Sequence, residues 1–161
     1  MHLTRVLTAA AALLLLLVLT VAASPDVKAK SDSVVAEQWI AGWNSHSPDK
    51  MLSLFADDIL YEDVAFGSVS HGKAEVKKFA SDELEAVPDL ELKLLRSEIH
   101  GGHGTIEWSF SGTDKDIYKT GKKFTVRGVS VIDVRDGKIV RNLDFYDSGT
   151  IMRQVGVLPA Q

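Results

Sequence analysis

At Pro88 the apolar residues of this chain change their period. Before it they recur every three to four positions, as on helices. After it they alternate, as on strands. In residues 33–46, Val35, Ala36, Trp39, Ile40 and Trp43 form one helical stripe. Ser47-Pro48 reads as an N-cap with proline at the first helical position, opening a short helix over 48–56 that buries Met51, Leu52, Leu54 and Phe55. A strand is expected at 58–63, a loop holding Gly67 and Gly72 at 64–72, and a third helix over about 73–86 with Val76, Phe79, Ala80 and Leu84 on its apolar face. Pro88 ends it, because the residue before a proline is pushed out of helical geometry.

Beyond Pro88 the chain reads as hairpins. Residues 90–100 are extended, and His100-Gly101-Gly102-His103 is a turn. In 104–111, Ile106, Trp108 and Phe110 alternate with polar residues. A polar loop, 112–122, precedes strands 123–135 and 138–147, which flank the hairpin signal Asp136-Gly137. A short helix at 149–155 stops at Gly156. Helices followed by antiparallel hairpins define an α+β fold. A long sheet of this kind curls, and its helices pack on the concave side, leaving an apolar pocket suited to a small ligand.

Composition narrows the function classes. The chain has 161 residues, a formal charge of −4 and no cysteine. This excludes disulfides, thiolate metal sites and a cysteine nucleophile, and it lacks the basic footprint of a nucleic-acid binder. Residues 1–23 carry Arg5, an almost wholly apolar run to Val21, and small residues at Val21 and Ala23. That is the pattern of a signal peptide cleaved after Ala23, giving a secreted or periplasmic protein. The alternative is an uncleaved membrane anchor, since Val6–Ala23 is just long enough to span a bilayer. Residues 24–32 read as a linker, and 33–159 as the domain. Strand 123–135 is apolar on both faces. Helices can cover only one, so the other is expected to form a homodimer interface.

The candidates for chemistry are carboxylates on apolar strands. On strand 138–147, Asn142, Asp144 and Tyr146 share one face, with Ile139, Arg141, Leu143, Phe145 and Asp147 on the other. If the first set faces the pocket, desolvation raises the pKa of Asp144 into the range of a general acid or base. Otherwise Asp144 is a solvated or ion-paired surface residue. Asp63, ending the first strand, is either a base at the pocket mouth or a turn residue. Trp39 and Trp108 are core or pocket wall, and Trp39 can offer its indole N–H to a ligand carbonyl. Arg127 on a mid-sheet strand needs a partner, Asp144 or Glu107, or orients a ligand. His100 and His103 lack a third converging ligand, so no metal site is expected. The sequence has no phosphate-binding Gly-rich loop, nucleophile elbow or zinc helix.

Phe55-Ala56-Asp57-Asp58-Ile59-Leu60-Tyr61-Glu62-Asp63, then Gly67 and His71-Gly72-Lys73-Ala74-Glu75-Val76, resembles a block of the SnoaL-like proteins of the nuclear transport factor 2-like superfamily. Trp39–Asn44, Ala86–Leu90, Arg127-Gly128, Asp136–Ile139, Asp144–Asp147 and Arg153–Gly156 resemble its other blocks in order. The resemblance spans about 33–159. It implies a cone: a curved, mainly antiparallel sheet wrapped around three N-terminal helices, often a homodimer through the sheet. Such families include polyketide cyclases, ketosteroid isomerases, epoxide hydrolases and non-catalytic binders. The cyclases close rings with a pocket carboxylate and neither metal nor cofactor, and that position maps to Asp144. The isomerase base maps to Asp63. The isomerase's tyrosine and aspartate oxyanion donors map to Trp39 and to Val129 or Ser130, and Arg127-Gly128-Val129 lacks the aspartate of the epoxide hydrolases. Two readings follow. One is acid–base catalysis of cyclase or isomerase type on an apolar, carbonyl-bearing molecule, with Asp144 and Asp63 catalytic and Trp39, Trp108, Arg127, Asn142 and Tyr146 binding. The other is a non-catalytic extracytoplasmic ligand-binding or dimerisation module.

Overall fold

The computed structural model of the chain describes residues 25–160. The signal segment read at 1–23 lies outside them. Ten elements follow one another: α1 (Pro25–Asn44), α2 (Pro48–Leu52), β1 (Phe55–Asp63), β2 (Ser68–His71), α3 (Gly72–Ala86), β3 (Glu91–His100), β4 (His103–Thr113), β5 (Lys123–Arg135), β6 (Lys138–Tyr146) and α4 (Ser148–Val155). The six strands form one curved, unclosed sheet in the order β2-β1-β6-β5-β4-β3. Neighbours are antiparallel except β1 and β6, which run parallel. The α+β class and the mainly antiparallel sheet expected from the change of period are both present.

The core lies between helices and sheet. Ala36, Trp39 and Trp43 of α1, with Val76 and Ala80 of α3, pack against Ile106, Trp108, Val126, Ile132 and Ile139 on the sheet's inner face, all buried. Asn44 fastens α1 to β3 by accepting from the Leu92 N–H and donating to its carbonyl, both at 2.8 Å. α4 closes one end of the sheet with Ile151 and Val155 buried, and Gly156 ends it in the left-handed region at φ 83°. The β5–β6 turn uses Asp136 and Gly137 at φ 52° and 73°. Positive φ at both central positions matches a hairpin turn to the strands' own twist.

Four sequence readings are corrected. The segment 24–32, read as linker, is helical from Pro25. Proline tolerates the first helical turn, where its missing N–H has no partner to lose, and Lys28, Ala29 and Lys30 favour helix. The second helix stops at Leu52 rather than 56, because Phe55 is drawn into the sheet opposite Ile139. The loop 64–72 contains the four-residue edge strand β2, paired with β1. Its short run carries too little alternation to mark it as a strand. Finally, Ile139 does not share a face with Arg141. Val134 pairs with Ile139 but Asp133 with Arg141, so β6 carries one extra residue at Val140. A bulge of this kind reverses the parity of a strand, and Ile139 joins Asn142 and Asp144 among the buried residues.

Candidate active site

Strand pairing builds the site. β6, last in the chain, inserts between β1 and β5, so Asp144 has Asp63 opposite it on one side and Ser130 on the other. One step along, Tyr146 faces Gly128, and Gly128 faces Trp108. Gly128 has a steric reason to be glycine. A Cβ there would sit 2.3 Å from the Trp108 ring. Without it the indole lies across β5 and donates from Nε1 to the Ser130 hydroxyl at 2.9 Å. Ser130 in turn donates to Asp144 at 2.6 Å.

Asp144 is the most elaborately held of these side chains. Besides Ser130, its carboxylate accepts from Asn142 Nδ2 at 2.7 Å and from the Tyr61 hydroxyl. Burial pushes its pKa up to about 6. Ser130, Tyr61 and Asn142 work against that by donating to the anion, and the Asp63 charge adds to the rise. Asp63 accepts from the Tyr146 hydroxyl at 2.7 Å and from the Phe66 N–H at 3.1 Å. Burial raises it as well, against those same hydrogen bonds. Burial foremost, with the neighbouring aspartates, keeps both tyrosines protonated and therefore donors.

These groups open on a cavity of about 370 Å³ of empty space, counting its open mouth. The wall is aromatic: Trp39, Trp43 and Phe79 from the helices, Tyr61, Trp108, Phe110 and Tyr146 from the sheet, with Leu90 and Leu92 beside them. Trp39 stacks on Trp108 with ring centres 6.3 Å apart. The indole N–H groups of Trp39 and Trp43 are buried with no protein acceptor. Asp63, Asp144 and Glu83 are the carboxyl groups of the lining, which contains no basic residue. Among the described residues, no group of three or more His, Asp or Glu side chains is placed to hold a metal ion.

The structure thus brings Asp144, Asp63, Trp39, Trp108 and Tyr146 to one cavity, with Asn142 behind Asp144. It does not bring Arg127. That side chain is 77% exposed on the outer face, 3.8 Å from Glu107. β5 is apolar on both faces, so its sequence held no phase to exclude Arg127 from the pocket.

Sequence reasoning missed Tyr61, Trp43 and Glu83. Tyr61 lies on the alternation that carries Ile59 and Asp63. Glu83 follows Phe79 by four residues and Ala80 by three, so the helical period already placed it on the apolar stripe of α3. Burial, then the charges of Asp63, Asp82 and Asp144, push its pKa up to about 7.

Solved structures share this architecture. A protein from Catenulispora acidiphila with a ketosteroid isomerase-like fold, solved with trimethylamine, superposes at a TM-score of 0.70 with 23% identity, over 76% of this chain and 92% of its own. A candidate SnoaL-like polyketide cyclase from Jannaschia sp. does so at 0.71 with 13% identity, over 81% and 94%. The class is therefore the ketosteroid isomerase-like cone. Residues 36–142 match the family model of the SnoaL-like domain, and a cyclase of Calcarisporium arbuscula, aurE, is 30% identical over 78% of this chain and 92% of its own length. The chain belongs to the SnoaL-like family.

Proposed function

We propose that the cavity carries out cofactor-independent acid–base chemistry of cyclase or isomerase type on an apolar, carbonyl-bearing molecule, with Asp144 as the base. The observation that carries this reading is a buried carboxyl group on the wall of an aromatic cavity, with three hydrogen-bond donors and no cation. Donors keep an ionised form available, while burial raises its basicity toward neutral pH. Asp63, paired with Tyr146, stands opposite on β1 as a second proton-handling group. The similarity to cyclases supports a ring-forming or ring-shifting reaction.

The test uses 2-tetralone, an apolar ring ketone with exchangeable protons next to its carbonyl. The protein is expected to speed exchange of those protons for deuterium, with a rate that rises as Asp144 ionises near pH 6. Asp144→Asn should lower it by about 100-fold or more, the low end of what a positioned base contributes. No acceleration over buffer, together with tight binding of the ketone, would replace this reading by that of a non-catalytic binder.

Two features outside the cavity complete the proposal. Residues 1–23 act as a signal peptide, so the exported protein begins at Ser24. An intact mass that retains Met1 refutes this. The chain also forms a homodimer through the outer sheet face, where Phe145 is 40% exposed and Val69 48%. Light scattering at the monomer mass across micromolar concentrations refutes that.

A further inference from the structure

Three carboxyl groups line the cavity, and their hydrogen bonds differ in kind. Asp144 accepts from three side-chain donors and Asp63 from a tyrosine and a backbone N–H. Each donor favours the anion. Glu83 accepts from none: no hydrogen bond or ion pair to its side chain exists among the described residues. Its carboxyl oxygens are not among the fully enclosed polar atoms that lack a partner, and Glu83 is one of the residues that line the cavity. It comes from α3, on the helix side of the cavity, whereas Asp63 and Asp144 come from the sheet.

We infer that Glu83 is the proton donor of the pocket, a carboxylic acid that hydrogen-bonds the ligand's carbonyl oxygen and protonates it as Asp144 removes the proton from the adjacent carbon. The inference rests on the acid–base reading above and adds the group that reading lacks. Asp144 takes the carbon-bound proton, and the C–H electron pair becomes the carbon–carbon double bond of an enol. The carbonyl π pair then takes the proton from Glu83, leaving its carboxylate, and return to the ketone reverses both transfers. Without a donor the product would be a naked enolate in a cavity that already holds carboxylates and offers no basic residue, an arrangement of like charges with no compensation.

The surroundings favour the acid form of Glu83. Burial and the charges of Asp63 on β1, Asp144 on β6 and Asp82 on its own helix all oppose ionisation, and its carboxyl proton is released only near pH 7. Tyr146, whose hydroxyl donates to Asp63, is a protonated phenol. Of the other elements packed on α3, α2 carries Asp49, paired with Lys77, and Lys50, while β2 ends at His71. None of these pairs with Glu83.

Glu83→Gln keeps the size of the side chain and its ability to donate, but removes the transferable proton. In the 2-tetralone exchange assay the wild-type protein should give a narrow bell. Its acid limb reports Asp144 and its alkaline limb, near pH 7, reports Glu83. The variant should exchange about 10- to 100-fold more slowly and lose the alkaline limb alone. Glu83→Asp should restore an alkaline limb. A Glu83→Gln protein that keeps the wild-type rate and both limbs overturns the inference while leaving Asp144 as base. Should the wild type show no exchange at all, binding of 2-tetralone decides, followed by quenching of Trp39, Trp43 and Trp108. Affinity that falls above pH 7 in the wild type but not in Glu83→Gln retains Glu83 as the donor and discards the base. Affinity independent of pH in both overturns Glu83 as well.

Discussion

Asp133 and Asp144 lie on the two strands of one hairpin, and the sheet between them gives them opposite chemistry. Asp133 is on the outer face, where Arg141 Nε donates to it at 2.6 Å and His103 contacts its other oxygen. Those partners hold its carboxyl below the usual range. Asp144 is on the inner face with three neutral donors and no cation, and burial pushes it up to about 6. The same side chain is thus a surface ion-pair member on one side of a single layer of backbone and a candidate base on the other. The face, set by strand parity and bulges, decides the function.

The largest expected effect on that contrast comes from the inner wall itself. Trp39 is 1% exposed and stacks on Trp108, so Trp39→Ala should cost about 3–5 kcal/mol in urea unfolding. A cost below about 1 kcal/mol would mean that the inner face is not the core.

The two aspartates should respond to pH with opposite sign. The folded pKa of Asp144, about 6, lies above its unfolded value of about 3.9, so the folded chain holds the extra proton between them. Stability from this group is present below about pH 4 and is lost as pH rises through 6, by about 3 kcal/mol. Asp144→Asn should remove that share of the slope and leave the share of Asp63 and Glu83, which burial also raises. Asp133 is lowered on folding, so its contribution is present above about pH 4 and disappears as pH falls through its folded pKa. Asp133→Asn should remove stability at neutral pH and leave the slope between 4 and 6 intact. Unfolding curves at pH 4, 5, 6 and 7 separate the variants, and identical slopes in wild type and Asp144→Asn would dissolve the comparison.

A smaller effect is expected at Gly128. An added methyl group meets the Trp108 ring at 2.3 Å, and overpacking of this kind costs about 1–3 kcal/mol. Because the displaced indole supports Ser130, Gly128→Ala should also slow the 2-tetralone exchange. Retention of full stability and rate would show that the ring relaxes without moving Ser130. Least of all should follow from Arg127→Ala on the outer face, within about 0.5 kcal/mol and with unchanged exchange. A clear loss of exchange there would place the chemistry on the wrong face.

The strands and helices were legible because their signals are local. The stripe through Trp39 and Trp43, the alternation through Ile106, Trp108 and Phe110, and the Asp136-Gly137 turn each lie within a few residues of one another. Asn142, Asp144 and Tyr146 could be assigned to one face for the same reason. Strand β2 escaped because four residues carry too little period, and Ile139 because a one-residue bulge is invisible in an apolar run. Glu83 was readable from helical spacing, but a lone acid on an apolar stripe does not declare whether it faces a cavity or solvent.

The sequence by itself determined the α+β class, the order of every element but β2, and the placing of Asn142, Asp144 and Tyr146 on one face, since these depend on backbone periods of 3.6 and 2 and on turn chemistry at single positions. Only the tertiary structure decided which strands lie side by side. The parallel insertion of β6 beside β1 sets Asp144 opposite Asp63, with Tyr61 within hydrogen-bonding reach, and the packing of α3 on β1 brings Glu83 to the same cavity. Those contacts join residues far apart in the chain. They are selected by the burial of whole faces rather than by any local preference, so no window of sequence contains them.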